Sequence, residues 1–525
     1  MSSRGGISSC ECILATIEGL KEFQALLRNS KNEITTSKMK NKLLLLALFL
    51  GFHCISQELY KDTLLKQDFD ILTKITCEVS PNINSEEKKA LYDYLNKRSE
   101  ALNGKKMTAL DFFKFLMGTK AETKLDDHGE IILSGALLKT LLTDQKTLFP
   151  IPILIMNKKL VVNYEEAEIP FGSIISAINK VPVSVILENV LKEENTYALK
   201  ELEQNFDGFY LIKYGALKTF TVTYTLPNSS TTKTIKLNAV GVKARKSIYI
   251  NRVYPLNRKQ PKNIVNTTYF KNSDLYYIQL NSFFWNEPVK NVYRAFNKQF
   301  SNIFKKIRKR KAKHLIIDLR NNRGGDILIP ALFYSYIAKE AFNENISVQI
   351  PDFEFPHKDL IVKIENTPVD QESIQKFINQ IKKPFVKNKD AYEYAYVNNV
   401  KRVKNKKSYK GKVYLLVGGR TFSAAAYYTA LFKNSKRGLI VGEQVGGSHH
   451  DITGGKIIEY TLPNTKIGIK IPIALMKFSQ ALETNVPEQK INPTIQITEA
   501  AKYQYFLKKE DWDLQTVLEI INQKK

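Results

Sequence analysis

The stretch Lys412–Ala426, KVYLLVGGRTFSAAA, decides the fold because it combines a strand, a turn and a helix start. The apolar run Val413–Val417 predicts a strand that is buried on both faces. The pair Gly418-Gly419 follows, and glycine pairs are typical of sharp turns. Ala424–Phe432 then predicts a helix, with Ser423 directly before it.

Two interpretations of Ser423 follow from this layout. A strand, a tight turn, a serine and a helix form the arrangement that raises a hydroxyl above a sheet edge. The helix N-terminus would supply N–H groups where an oxyanion forms. A serine that only caps the helix has the same surroundings. The stretch alone favours the cap, so a catalytic role needs support from other residues.

The composition is that of a globular protein with more than one domain. The chain has 525 residues, 43% of them hydrophobic and 25% charged, which predicts two to four domains. The formal net charge is +27. The densest basic run, Lys305–Lys311, follows apolar residues at helical spacing and predicts a solvated helix end. No nucleic-acid-binding motif accompanies it, so we expect no nucleic-acid partner.

The N-terminal part reads as a targeting sequence. Residues 1–38 show no structural pattern, and Met39 is a candidate start. Residues 39–56 predict a secretory signal, because lysines precede the apolar run Leu43–Phe52 and small residues precede Gln57. The run is too short for a stable membrane anchor. We therefore expect an exported protein, periplasmic or extracellular after cleavage.

The remaining chain divides into four predicted units of mixed α/β class. Residues 57–148 have apolar residues at spacings of three and four, which predicts a helical cap domain. Residues 149–243 predict a small β-rich domain, and residues 244–500 alternate strands with helices, which predicts a sheet covered on both faces. Residues 501–525 predict a C-terminal helix. In the β-rich unit we expect strands at Ile151–Met156, Lys159–Val162, Ile174–Ile178, Gly208–Tyr214, Thr219–Thr225 and Thr232–Leu237.

Two segments predict irregular structure. Ala244–Phe270 is basic, rich in asparagine and contains proline, which predicts a linker or long loop. Val348–Tyr409 is polar and rich in lysine, which predicts an insertion or flap. The four cysteines lack the spacing of a metal site or disulfide framework. We therefore expect no metal and no cofactor.

A nucleophilic serine needs a base and a group that orients this base. Five histidines follow the predicted signal: His128, His314, His357, His449 and His450. His314 begins a predicted buried strand and His357 lies in a polar stretch, which favours structural and solvated roles. His128 lies in a polar break between apolar helices. His449 and His450 lie in a Gly-rich segment soon after the serine, so both places stay open as the source of the base.

A second Gly-rich segment accompanies the serine. Arg320–Asp326, RNNRGGD, follows a predicted buried strand. Gly324 and Gly325 would let backbone N–H groups approach a ligand closely. A glycine pair after a strand is more often only a turn.

Taken together, these motifs occur in the order typical of one family. They are KLDDHGEI (124–131), IPFGSIISAINKVPV (169–183), HLIIDLRNNRGGD (314–326), GRTFSAAA (419–426), GEQVGG (442–447) and VPEQKINPTIQI (486–497). The chain resembles the tricorn-type and C-terminal-processing, or tail-specific, serine peptidases of exported bacterial proteins. The resemblance extends from about Asp68 to the C-terminus, and motifs in a fixed order are more specific than any one of them.

The resemblance implies a fold and a set of catalytic roles. It implies a helical cap, a PDZ-like peptide-binding domain and a ClpP/crotonase-like α/β core. Ser423 would be the nucleophile and His128 the base. The N–H of Ala424 and one from Gly324 or Gly325 would bind the oxyanion.

The remaining implied residues orient the base and bind the substrate. The acid would be Glu483 or Glu488, with Glu443 as an outside alternative. The PDZ-like line implies that Phe171, Gly172 and Ile174 bind the substrate, an unfolded or extended peptide or protein. The resemblance says nothing about the oligomeric state.

Departures from the family pattern keep two alternatives open. The segment before His128 lacks the family's glycines, Ala426 replaces a glutamate, and the closing segment lacks its glycine and aspartate. One alternative is a catalytically impaired peptide-binding or scaffold protein of the same fold. The other is a carrier of an apolar ligand.

Overall fold

The computed structural model describes residues 58–81, 85–117, 128–141, 147–188, 196–254, 263–388, 391–448, 450–478 and 490–523. The predicted extension 1–38 and signal 39–56 lie outside these residues. Within the described ranges, no helix is both long enough and apolar enough to cross a membrane.

The front of the chain is helical, as its apolar spacing predicts. Leu65, Phe69 and Leu72 recur at spacings of four and three on the first helix and are fully buried. Cys77 on the same helix is a buried free thiol. The elements are β1 (Tyr60–Lys61), α1 (Asp62–Val79), α2 (Ser85–Ser99), β2 (Lys106–Met107), α3 (Ala109–Met117), β3 (Glu130–Ile132) and α4 (Gly135–Leu141).

A six-stranded antiparallel sheet follows, in the order β4-β5-β6-β8-β9 with β7 paired to β6. The prediction of a strand at Gly208–Tyr214 is wrong, because this segment ends a helix. Its aromatic residues favour strands in isolation, but Phe206 and Tyr210 lie one helical turn apart and are both buried against the sheet. The elements are β4 (Ile153–Met156), β5 (Lys159–Val162), β6 (Ile174–Ile178), β7 (Val181–Pro182), α5 (Val183–Ile186), α6 (Thr196–Tyr214), β8 (Thr219–Thr225) and β9 (Thr232–Asn238).

The third unit is a five-stranded sheet in the order β10-β11-β12-β18-β19. Strand β10 is antiparallel to β11, and the other pairs are parallel. The elements are α7 (Val242–Ile250), β10 (Val265–Phe270), β11 (Leu275–Leu280), α8 (Val292–Arg310), β12 (His314–Asp318), α9 (Ile329–Ser335), β18 (Lys412–Val417), α11 (Ala424–Asn434), β19 (Leu439–Gly442), α12 (Glu499–Leu507) and α13 (Trp512–Asn522).

Both faces of this sheet are covered, as the alternation of strands and helices predicts. Ile317 and Leu415 belong to the core that contains helices α8 and α11. Ile316 and Leu416, which alternate with them, contact α13 in a separate cluster. The prediction of a linker over Ala244–Phe270 is wrong where the structure describes it, because α7 and β10 occupy its ends.

The last sheet has eight strands, in the order β15-β14-β20-β21-β13-β17-β16 with β3 paired to β21. The prediction of a flap over Val348–Tyr409 is wrong, because this segment supplies strands and a helix to the sheet. Lys363 lies between the buried residues Ile361 and Ile364, which pack in the core that also contains α1. The elements are β13 (Phe342–Ile350), β14 (Ile361–Ile364), β15 (Thr367–Pro368), α10 (Gln371–Lys382), β16 (Val386–Asn388), β17 (Ala391–Arg402), β20 (Asp451–Thr461) and β21 (Gly468–Phe478).

The pairing of β3 with β21 joins the front of the chain to its last third. Ile132 lies opposite Gly468, and Glu130 lies opposite Lys470. A Cβ at Gly468 would lie 2.6 Å from Cγ1 of Ile132, so the close approach requires glycine. Because His128 lies two residues before the start of β3, this pairing carries the histidine to the sheet.

Candidate active site

Ser423 lies where strand β18 ends and helix α11 begins. Its backbone has φ +53° and ψ −127°, which few residues other than glycine adopt. Its side chain makes no capping hydrogen bond to α11, so the structure gives no support to the cap interpretation. A strained serine at a strand-to-helix turn is typical of an exposed nucleophile. We call residues 418–423 the serine loop.

The segment Arg320–Asp326, here called the glycine loop, is fastened to the serine loop by Asn322. This side chain is fully buried. Its Nδ2 donates to the carbonyl of Leu280 at 3.0 Å, and its Oδ1 accepts from the N–H of Gly324 at 2.9 Å. Its backbone carbonyl accepts from the N–H of Phe422 at 3.1 Å. Sequence reasoning missed Asn322, although a polar residue between a buried strand and a glycine pair is a usable signal.

The glycine loop runs directly beside Ser423. A Cβ at Gly324 would lie 2.7 Å from Cβ of Ser423, so this position has no room for a side chain. The N–H of Gly324 is occupied by Asn322. Among the described residues, the N–H groups of Gly325 and Ala424 have no acceptor. Of the predicted oxyanion donors, these two are therefore available.

The structure brings His128 to the serine loop. Its imidazole contacts the ring of Phe422, the residue before Ser423, with a centroid distance of 4.7 Å and an interplanar angle of 35°. Nε2 of His128 lies 3.9 Å from the position of a Cβ at Gly454 on β20. His128 and the serine loop thus meet although they are far apart in sequence.

The other histidines have different surroundings. His314 begins β12, at the opposite end of the sheet from Ser423, and its Nδ1 lies 3.4 Å from the hydroxyl of Tyr414. His357 precedes a short 3₁₀ turn beside β14. The carbonyl of His450 accepts from the N–H of Phe478 at 2.8 Å. His449 lies outside the described residues.

Of the acids predicted to orient His128, only Glu443 lies within the described residues. Glu483 and Glu488 lie outside the described residues. Glu443 is held by Lys200 at 3.2 Å and by Lys502 at 3.1 Å. Burial alone would raise the pKa of Glu443, but the two ammonium groups lower it to about 2. Both of its oxygens therefore serve a network between helices α6 and α12.

The residues predicted to bind substrate in the β-rich unit contact the C-terminal helices. Phe171 contacts Phe506 of α12 with a centroid distance of 4.6 Å. Gly172 is crowded by Leu507, and its carbonyl accepts from the hydroxyl of Tyr503 at 2.8 Å. Ile174 packs in the same cluster. Helix α12 thus covers the surface that the sequence assigned to a peptide.

A cluster of charged side chains links the start of helix α13 to the end of strand β12 in the five-stranded sheet. The guanidinium of Arg320 contacts Asp318 at 2.8 Å, Asp511 at 2.7 Å and Asp513 at 2.9 Å. These residues line a polar cavity of about 360 Å³. Burial raises the pKa of Asp513 to about 7, even with Arg320 beside it. In the part of the chain that the structure describes, no cluster of three or more His, Cys, Asp or Glu side chains could hold a metal ion.

Comparisons with known proteins relate this geometry to a family and a fold. Residues 274–340 and 361–497 match the profile described as Peptidase family S41. Mature CPAF is similar in structure, with a TM-score of 0.54 and 14% identity over 88% of this chain and 98% of that chain. CPAF complexed with lactacystin has a TM-score of 0.53 and 15% identity over 88% and 99%. The photosystem II D1 C-terminal processing protease has a TM-score of 0.40 and 14% identity over 83% and 94%.

No curated protein sequence matches the chain. At these identities, the likeness to CPAF shows a shared mixed α/β fold. The family match includes both the glycine loop and the serine loop.

Proposed function

Because residues 274–340 and 361–497 match the profile of peptidase family S41, whose members are serine peptidases, we propose that the chain is an endopeptidase acting through an acyl-enzyme on Ser423. One observation carries this proposal. Ser423 has a strained backbone beside the N–H groups of Gly325 and Ala424, which have no acceptor among the described residues. Strain of this kind costs roughly 1–3 kcal/mol, and it persists where the surrounding structure and function require it.

The reaction would proceed in two steps with His128 as the base. Ser423 Oγ attacks the peptide carbonyl and its proton moves to His128, while the N–H groups of Gly325 and Ala424 bind the oxyanion. The tetrahedral intermediate then expels the amine, which takes the proton from His128. A water molecule attacks the acyl-enzyme in the same way and releases the acid. Glu483 or Glu488 would orient His128.

We propose unfolded or extended protein chains as the substrates. The arrangement of the site supports this proposal, because Ser423 and His128 come from distant segments that meet where several units pack together. A folded substrate would have to present a cleavable strand within that junction.

The unit 149–243 is proposed as a PDZ-like peptide-binding domain. On its edge strand β4, the N–H of Ile155 donates to the buried carboxylate of Glu203 at 2.9 Å. Helix α12 covers Phe171 and Gly172. A peptide that adds to this unit by pairing with β4 must therefore displace Glu203 from the N–H of Ile155.

The catalytic proposal is tested by labelling the protein, expressed from Gln57, with a fluorophosphonate probe. We expect one labelled site, Ser423, and no labelling of Ser423→Ala. His128→Ala should slow labelling at least about 100-fold, since the base activates the hydroxyl. The double substitution of His449 and His450 by alanine should leave the rate within about threefold. A folded protein that is not labelled would favour the peptide-binding scaffold instead.

Export is proposed from the sequence of residues 39–56 alone. Fusing residues 39–57 to a reporter that is active only outside the cytoplasm tests it. We expect reporter activity, and its loss when two leucines of Leu43–Leu46 are replaced by arginine. An inactive fusion with intact residues 39–57 would contradict export.

A further inference from the structure

The first turn of helix α6 packs against the serine loop and against the segment that follows β19. The hydroxyl of Thr196 donates to the carbonyl of Gln444 at 3.1 Å, and the carbonyl of Thr196 fills the space that a side chain at Gly419 would need. A Cβ at Gly446 would lie 2.6 Å from Cβ of Tyr197. The helix therefore contacts the serine loop on one side and the segment after β19 on the other.

Tyr197 stacks on the residue that precedes the nucleophile. Its ring lies 4.4 Å from the ring of Phe422, with an interplanar angle of 16°. The ring of Phe422 also contacts the imidazole of His128 at 4.7 Å. Tyr197 is 1% exposed, so the stacked pair is shielded from water. A movement of Phe422 would thus reach Ser423 through the backbone and His128 through the ring.

The same side chain reaches the glycine loop. The hydroxyl of Tyr197 accepts from Nε of Arg323 at 2.9 Å, and Arg323 directly precedes Gly324. One turn further along α6, Glu201 lies 3.7 Å from Arg323 and 2.8 Å from Arg420 of the serine loop. Helix α6 therefore holds both loops from one side.

From these contacts we propose that Tyr197 is a positioning residue for the reaction. It does not touch the substrate. Its ring fixes Phe422 and, through Phe422, the relative position of Ser423 and His128. Its hydroxyl fixes Arg323, which lies two residues before the proposed oxyanion donor Gly325. This inference rests on the catalytic roles proposed above for Ser423 and His128.

The physical reason is geometric. Acyl transfer requires the hydroxyl, the base and the oxyanion donors to be aligned, and a displacement of about 1 Å can cost roughly 100-fold in rate. Phe422 adjoins Ser423, and its N–H is already bound by Asn322. The backbone of the serine loop is thereby tied on the glycine-loop side. Without Tyr197, the ring of Phe422 loses its support on the opposite side.

The experiment compares Tyr197→Ala, Tyr197→Phe and Tyr210→Ala on an unstructured fluorogenic peptide. Tyr210 is the matched control, because it lies on the same helix and is also 1% exposed, but packs against Phe149 and Phe220. We expect Tyr197→Ala to lower kcat about 10- to 100-fold with KM within about threefold. Tyr197→Phe keeps the ring and should recover most of kcat. Tyr210→Ala should lower Tm but keep kcat, per folded molecule, within about threefold.

Two readouts separate a positioning role from a loss of folding. The rate of fluorophosphonate labelling at Ser423, divided by the folded fraction from circular dichroism, should fall in Tyr197→Ala and not in Tyr210→Ala. If Tyr197→Ala folds and keeps wild-type kcat, or if both alanine variants lose kcat equally per folded molecule, the positioning role is overturned. Failure of the wild-type protein to be labelled would instead overturn the catalytic proposal. If Tyr197→Ala does not fold, Tyr197→Leu replaces it under the same criteria.

Discussion

At the scale of single residues, the site depends on two residues with unusual environments, Ser423 and Asn322. Ser423 has a backbone conformation that suits glycine, and Asn322 has a fully buried side-chain amide that binds two backbone groups. The sequence predicted Ser423 and Gly324–Gly325 because small residues after buried strands form a local pattern. It did not predict the stacked pair Tyr197–Phe422, because this contact joins residues that are far apart in sequence, and the local signal at Asn322 was missed.

Because the backbone of Ser423 is strained, we expect Ser423→Gly to be more stable than Ser423→Ala, the reverse of the usual order for these two replacements. Glycine relieves the positive φ, whereas alanine retains it, so Ser423→Gly should be about 1 kcal/mol more stable than Ser423→Ala. Urea unfolding of both variants measures the difference. At Ser435, where φ is −81°, we expect alanine to be the more stable replacement. Equal stabilities at position 423 would argue against a strained serine.

Removal of the Asn322 side chain should be costly. In Asn322→Ala, the carbonyl of Leu280 and the N–H of Gly324 lose their partners in a dry environment, which predicts a loss of about 2–4 kcal/mol. The same change at the exposed neighbour Asn321 should stay within about 0.5 kcal/mol. Chemical denaturation of both variants provides the measurement. A loss below about 1 kcal/mol at Asn322 would contradict the importance of its side-chain hydrogen bonds to Leu280 and Gly324.

At the scale of elements, local pattern predicted some segments and failed for others. The strand, turn and helix over Lys412–Asn434 are confirmed. They could be predicted because a buried apolar strand and a glycine pair both have a recognisable local sequence pattern. The segment Gly208–Tyr214 was mispredicted, since aromatic residues there pack at helical spacing against a sheet. The lysine-rich Val348–Tyr409 was mispredicted because lysines on the exposed side of strands resemble a loop in composition.

Helix α13 makes stability depend on pH through Asp513. Burial raises the pKa of Asp513 from 3.8 to about 7 in the folded state. The folded protein therefore binds a proton that the unfolded chain has released between about pH 4 and pH 7, so this group's contribution weakens as pH rises through that window. Asp511 acts oppositely. Burial opposes its ionisation, but Arg320 lowers its pKa, so its contribution is lost only below about pH 4.

The test compares the wild-type protein with Asp513→Asn from pH 4.5 to pH 8. Relative to this variant, the wild-type free energy of unfolding should decline as pH rises, by on the order of 2 kcal/mol. Urea denaturation at each pH gives the difference. Parallel curves for the two proteins would show that Asp513 ionises normally in the folded state.

At the scale of the whole molecule, strand β3 connects the front of the chain to the eight-stranded sheet. Only the family resemblance favoured His128 over His449 and His450, because nothing local predicts that β3 pairs with a strand over three hundred residues later. The structure supplies the reason in the register Ile132 to Gly468.

Blocking this pairing should separate His128 from Ser423. In Gly468→Val, the new side chain meets Ile132, whose Cγ1 would lie 2.6 Å from the added Cβ. We expect peptidase activity to fall at least about 100-fold, since the base is lost from the site. Gly241→Val, where a Cβ has no neighbour within 4 Å, should keep activity within about threefold. Full activity in a folded Gly468→Val protein would show that β3 does not deliver the base.

The late pairing of β3 also has a consequence for the cell that makes this protein. During synthesis, the segment with His128 leaves the ribosome well before Gly468. Strands β3 and β21 can pair only after Gly468 has emerged. With His128 as the base, a nascent or truncated polypeptide carries a serine without a partner and is latent. Peptidase activity would then appear only late in synthesis, so incomplete chains would not cleave proteins of the cell that makes them.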